Sequence, residues 1–113
     1  MKLGYVYILS NKNRTTLYVG LTSNLENRIL YHTLGKGSAF TNRYGVVDLL
    51  YYESIFGMGH AIRREKQLKN WHRDWKWNLI KSVNEDLSDH ANDWFSREEL
   101  DRYRKADSET SLG

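Results

Sequence analysis

The sequence predicts an α+β fold in which a small three-stranded antiparallel sheet is flanked by helices, in the order β-β-α-β-α-α. Three observations predict it. Two N-terminal runs, residues 4–10 and 15–21, alternate in hydrophobicity, are rich in Tyr, Val and Ile, and are joined only by the polar Asn11-Lys12-Asn13-Arg14. A helical period opens immediately afterwards behind a Ser23-Asn24-Leu25-Glu26 capping signature. A further β-rich run, VVDLLYYE over residues 46–53, then precedes two more helical stretches.

Each element follows from its residues. In the first strand Tyr5, Tyr7 and Leu9 point one way and Val6, Ile8 and Ser10 the other. In the second, Leu17, Val19 and Leu21 share one face, and Thr16, Tyr18 and Gly20 the opposite one. The short connection makes the pair a hairpin. The first helix buries Leu25 and Ile29, carries Arg28 and His32 together at i and i+4, and stops at Gly35. Residues 36–45, with Phe40 and Tyr44 among Lys36 and Arg43, read as a basic loop. The third strand, Val46 to Glu53, reads as buried on both faces. Gly57 and Gly59 break the chain before a helix from His60 to Trp71, with Ala61, Glu65 and Leu68 near one face. A next helix, Asp74 to Val83, presents Trp75, Asn78, Leu79 and Val83. Trp71 and Trp75 read as core, Trp77 less so. Ser96-Arg97-Glu98-Glu99 caps a short acidic helix, and from Ala106 the chain reads as frayed.

Composition bounds the function. At 113 residues, 40% hydrophobic and 13% aromatic, the chain is sized for one compact domain with a real core. It has no cysteine, which excludes disulfide frameworks, thiolate catalysis and cysteine-ligated metal sites. No run approaches the roughly 20 apolar residues of a membrane span, and the N-terminus has no secretory pattern, so a cytoplasmic protein with no membrane partner is expected. The net charge of +3 conceals a division. Residues 1–83 hold 13 Lys/Arg against 5 Asp/Glu, and residues 84–113 hold 4 against 9. A basic body over residues 1–84 with an acidic, partly helical extension over 85–113 favours a polyanionic partner such as nucleic acid.

Several residue types point to chemistry. Tyr7 and Tyr18 converge on one side of the hairpin beside Gly20, either to bind phosphate and water or simply to pack. Arg28 with His32 forms an electropositive pair suited to phosphate, or else an ordinary helix face. Glu65 lies beside an apolar stripe in strongly basic surroundings. There it must pair with a cationic side chain or hold a cation, and a lone carboxylate with waters and substrate oxygens suits Mg²⁺. Lys36, Arg43, Tyr44, Arg64 and Lys69 are candidates for contacting a nucleic-acid backbone and its bases.

Taken in order, these pieces resemble the GIY-YIG nuclease superfamily. Tyr5-Val6-Tyr7 stands where the family has Gly-Ile-Tyr, and Tyr18-Val19-Gly20 where it has Tyr-Ile-Gly. Arg28 followed by His32 is similar to its arginine- and histidine-bearing helix. Phe40-Thr41-Asn42-Arg43-Tyr44-Gly45, Tyr51-Tyr52-Glu53 and residues 61–71 resemble the small stand-alone members of the excinuclease-C-like branch. The likeness covers residues 4–84. It implies a GIY-YIG-like fold and an endonuclease of the DNA-repair type that hydrolyses phosphodiester bonds with Mg²⁺ or Mn²⁺. Glu65 would be the metal ligand, and Arg28 would stabilise charge at the phosphate. Tyr18 would take the proton of the attacking water, with Tyr7 orienting water or phosphate and His32 assisting. Asn84 stands near the family's late asparagine. A free phenol titrates near ~10, so Arg28 must favour its ionised form, or Tyr18 relays or orients instead. DNA is the expected substrate, read by backbone and shape, and a homodimer would let both strands be cut. The competing readings are a catalytically silent nucleic-acid-binding module on the same fold and a protein-interaction domain. Arg28, Tyr18 and Glu65 together favour the enzyme, because binding alone requires no carboxylate within a basic face.

Overall fold

The computed structural model describes residues 2–112, with side chains described as far as Ala106. Strands β1 (Leu3–Ser10), β2 (Leu17–Thr22) and β3 (Asp48–Phe56) form one antiparallel sheet in the order β2-β1-β3. Among the described residues five helices accompany it: α1 (Leu25–Thr33), α2 (Ala39–Tyr44), α3 (Met58–Asn70), α4 (Arg73–Val83) and α5 (Arg97–Leu112). The period of two divides the sheet as the alternation demands. Val6, Ile8 and Val19 face Ala61 and Leu68 of α3 and Ile80 of α4. Tyr7 and Leu9 face Leu25 and Ile29 of α1, with Val46 and Ala91. Helices thus cover both faces, and the α1 face carries the hairpin tyrosines.

Several details depart from the expectations. The third strand runs from Asp48 to Phe56 rather than from Val46 to Glu53. It is buried on both faces only over Leu49, Leu50 and Tyr51. The cause is a bulge: Ile8 pairs with Tyr51 but Leu9 with Leu49, so Leu50 is an extra residue, and both Leu50 and Tyr51 turn toward α3. The first helix is capped by Asn24 rather than Ser23, its Oδ1 accepting from the Asn27 N–H at 3.1 Å. Its end at Gly35 is a Schellman turn, with Lys36 N–H bonded to Tyr31 O and Gly35 N–H to His32 O. The expected basic loop contains a helix, α2. Ser38 caps it reciprocally with Thr41, a capping box whose third residue is Thr instead of Glu. On α4 the buried residue is Ile80, with Trp77 and Leu79 packed against the core, while Trp75 is 54% exposed and Val83 is exposed too. Trp77 lies one turn before Ile80 on the packed face, and Trp75 falls outside it.

The segment after Asn84 is docked on the sheet. Leu49 donates its N–H to Asp89 Oδ1 at 2.9 Å and accepts from His90 N–H at 2.8 Å. Ala91, Trp94 and Phe95 then pack on the Tyr7 face. The final helix continues to Leu112, past Ala106 where fraying was expected, and Gly113 lies outside the described residues. Among the described residues no helix is long and apolar enough to cross a membrane.

Candidate active site

The hairpin and α1 assemble one polar cluster. Tyr7, in the middle of β1, pairs with Gly20 of β2, and its ring lies directly on that glycine. A Cβ at position 20 would fall 2.2 Å from Tyr7 Cζ. The phenol is 1% exposed, and its oxygen lies 3.0 Å from His32 Nε2 and accepts from Arg28 Nε–H at 3.4 Å. The helical repeat places Arg28 one turn before His32, so both reach the same hydroxyl. Tyr18 stands beside them, its ring centroid 6.4 Å from Tyr7 and 5.8 Å from His32, near enough to add to the rise of Arg28. Unlike Tyr7 it is only half-buried. His32 is fully buried; its Nδ1 lies 3.1 Å from Thr41 Oγ1, and its ring rests on Gly37, where a Cβ would fall 2.0 Å from Nδ1.

Electrostatics follow from this burial. Burial, and then the Arg28 charge, push His32 down to about 4, so the ring is neutral at pH 7. Burial raises Tyr7, against the opposing hydrogen bond from Arg28, and the charges of Tyr18 and Glu65 add to the rise. Tyr7 is therefore a protonated phenol. The Tyr7 bond holds the Arg28 guanidinium above its ordinary value, so Arg28 is a permanent cation beside two phenols.

Glu65, on α3, is 17% exposed at its side chain, and its Oε1 accepts from Lys69 Nζ at 2.9 Å. Its charge is the smallest of the influences on Tyr7. Among the described residues no group of three His, Cys, Asp or Glu side chains gathers as a metal cage. A single carboxylate in basic surroundings still fits a hard cation that keeps most of its waters.

The remaining expected residues are placed variously. Arg64 donates to Glu53 at 2.6 Å and to Gln67 at 2.7 Å, and lies over the Trp71 ring at 5.2 Å, so its guanidinium is engaged within the protein. Lys69 is taken up by Glu65. Lys36 follows α1, exposed. Arg43 covers the ring of the exposed Tyr44 at 5.5 Å. Asn84 is not brought to the cluster. It caps α4, and its amide is engaged by Leu50 O, Ser88 O and the Ser88 N–H. Three residues were missed. Phe40, exposed on α2, stacks on Tyr18 at 6.1 Å and meets Tyr44 at 5.0 Å, and the interleaved aromatics were its signal. Thr41 and Gly37 build the seat of His32, and the Ser38–Thr41 spacing was the available sign of the first.

A hairpin bearing two tyrosines, a helix bearing arginine and histidine, and the later helix α3 bearing glutamate are the arrangement of a nuclease-superfamily domain. The family model for the GIY-YIG catalytic domain matches residues 3–78, and the chain belongs to that family. It is 40% identical over 76 residues to the UPF0213 protein of Staphylococcus haemolyticus, a match that covers 67% of this chain and 92% of that one. To the UPF0213 protein of Clostridium perfringens it is 41% identical over 80 residues, covering 71% and 85%. The solution structure of a UPF0213 protein from Bacillus halodurans superposes with a TM-score of 0.51 at 27% identity, covering 80% of this chain and 97% of that one.

Proposed function

We propose that this protein is a divalent-metal-dependent endonuclease that hydrolyses phosphodiester bonds in DNA, directed by backbone and shape rather than by sequence. The carrying observation is Arg28. Its permanently charged guanidinium is anchored on one buried phenol and feels a second, half-open one, and Glu65 of α3 is the carboxylate whose charge also reaches Tyr7. Arg28 binds the scissile phosphate and meets the charge that develops on its oxygens. The buried Tyr7 has no face toward solvent, so it orients Arg28, with His32 behind it. The half-open Tyr18 positions the attacking water, and in taking the water's proton its hydroxyl passes its own on to solvent. Glu65 would hold Mg²⁺ or Mn²⁺, which supplies positive charge at the leaving oxygen. Phe40, Tyr44, Arg43 and Lys36 extend the contact along the nucleic acid beyond the cut.

The Glu65–Lys69 ion pair favours a second reading, a silent nucleic-acid-binding module, because a carboxylate already satisfied by an ammonium needs no metal. Cleavage decides between them. Labelled single strands, duplexes, flaps, forks and four-way junctions are incubated with Mg²⁺, Mn²⁺ or EDTA, using the wild type, Glu65→Gln and Arg28→Ala. The enzyme reading expects metal-dependent cutting that is lost in Glu65→Gln and falls by about 100-fold or more in Arg28→Ala. Salt-sensitive binding without cutting, unchanged by Glu65→Gln, selects the silent module.

A further inference from the structure

The hydrogen bonds behind Arg28 form one chain, and its Arg28 end has fixed polarity. At one end Arg28 Nε–H donates to Tyr7 Oη, and an arginine has no acceptor. At the other, Thr41 Oγ1 lies 3.2 Å from the carbonyl oxygen of Ser38, and a carbonyl cannot donate. Between them stand Tyr7 Oη against His32 Nε2 at 3.0 Å and His32 Nδ1 against Thr41 Oγ1 at 3.1 Å. Tyr7, neutral His32 and Thr41 each bring one proton to this chain. Thr41 Oγ1 also accepts from the Ser38 N–H at 3.0 Å, which leaves it one further lone pair. The Ser38 hydroxyl stands 3.0 Å from the same oxygen and can give or take a proton there, so the Arg28 end sets the direction of the chain. Arg28 donates to Tyr7, Tyr7 to His32 Nε2, His32 Nδ1–H to Thr41, and Thr41 to the Ser38 carbonyl.

We infer that Thr41 is a positioning residue, whose hydroxyl holds His32 as the Nδ1–H tautomer, in the polarity that the Arg28 end of the chain sets. With the opposite tautomer, His32 Nε2–H would donate to Tyr7. The Tyr7 proton would then turn toward Arg28, donor against donor, and the guanidinium would lose its anchor. The seat of the imidazole is built for one orientation: it is fully buried, rests on Gly37, and stays neutral at pH 7. The consequence for catalysis rests on the nuclease reading above; the polarity of the chain does not.

The test reads tautomers by NMR on the ¹⁵N-labelled full chain, through the long-range couplings of the His32 ring protons. In the wild type, His32 Nδ1 is expected to carry the proton and Nε2 to be bare. Thr41→Val is expected to shift the ring toward the Nε2–H form and to speed exchange of the Arg28 Nε–H by more than about tenfold, the equivalent of one ordinary hydrogen bond. Thr41→Ser is expected to restore both signals. Ser38→Ala removes the other half of the capping box but leaves the hydroxyl of Thr41 and the carbonyl at position 38, so it should keep the wild-type tautomer. A wild-type ring protonated at Nε2 overturns the proposal, whether or not any variant folds. So does a folded Thr41→Val with unchanged tautomer and exchange. In cleavage assays Thr41→Val should lower kcat more than it raises KM. A protein that cuts nothing removes the nuclease reading and leaves the tautomer result standing.

Discussion

Gly20 and Gly37 are glycines because each is the floor beneath a ring. A methyl group at position 20 would overlap the phenol of Tyr7. Gly20→Ala is therefore expected to lower stability by about 1–3 kcal/mol, as overpacking does, and to reduce cleavage by displacing Tyr7 from Arg28; urea unfolding and the cleavage assay check the two effects. Gly20 was legible because a glycine within a strand calls for a reason, whereas Gly37 passed as an ordinary loop glycine. Tyr7, Tyr18, Arg28 and His32 were legible from alternation and helical spacing. Thr41 was not, because its link to His32 depends on where α2 sits. The burial of His32 has a consequence in pH. Its folded value of about 4 lies below the ordinary 6.5, so between these limits the unfolded chain binds a proton that the folded protein refuses. Its contribution is complete above pH 6.5 and is lost as pH falls toward 4, on the order of 3 kcal/mol at about 1.4 kcal/mol per unit. Urea unfolding of the wild type and His32→Gln from pH 7 to pH 4 should give a shallower decline for the variant.

At the scale of elements, Asn84 joins three pieces of the fold. It ends α4, satisfies the Leu50 carbonyl at the bulge, and holds the turn at Ser88. Asn84→Ala leaves buried backbone groups without partners, and is expected to destabilise by about 1–3 kcal/mol in urea unfolding. Hydrogen exchange at Ser88, whose N–H the side chain accepts, should quicken in the same variant. The strands and the long helices were legible because one period runs through each of them. The bulge at Leu50 was not, since three consecutive apolar residues look the same in a strand buried on both faces and in one that slips by a residue. The rotation of α4 was hidden for a related reason: Trp75 with Leu79 and Trp77 with Ile80 each make an apolar stripe at helical spacing, and the sequence alone does not choose between them. Helix α2 escaped because its cap uses Thr41 where a glutamate is the usual sign.

Across the whole molecule the division of charge suggests a body and a tail, yet Ala91, Trp94 and Phe95, beyond Asn84, pack against the body. Trp94 and Phe95, the two large aromatics in the acidic stretch, were the signal that part of it packs. A chain ended after Ser96 should keep nearly its full resistance to urea. One ended after Asn84 should lose several kcal/mol, because it strips Ala91, Trp94 and Phe95 from the Tyr7 face and the partners of Leu49 from the strand edge. The ion pair between Glu65 and Lys69 bears on the molecule as a whole in another way. An ammonium already occupies the carboxylate, so on the proposed reading a divalent ion enters by exchange and sets Lys69 loose, on a face where a phosphate must lie. Ion and nucleic acid then become linked ligands, each raising the affinity for the other by the same factor. Titrations of DNA binding with and without Mg²⁺ should show a larger gain in the wild type than in Lys69→Gln, which has no cation to release.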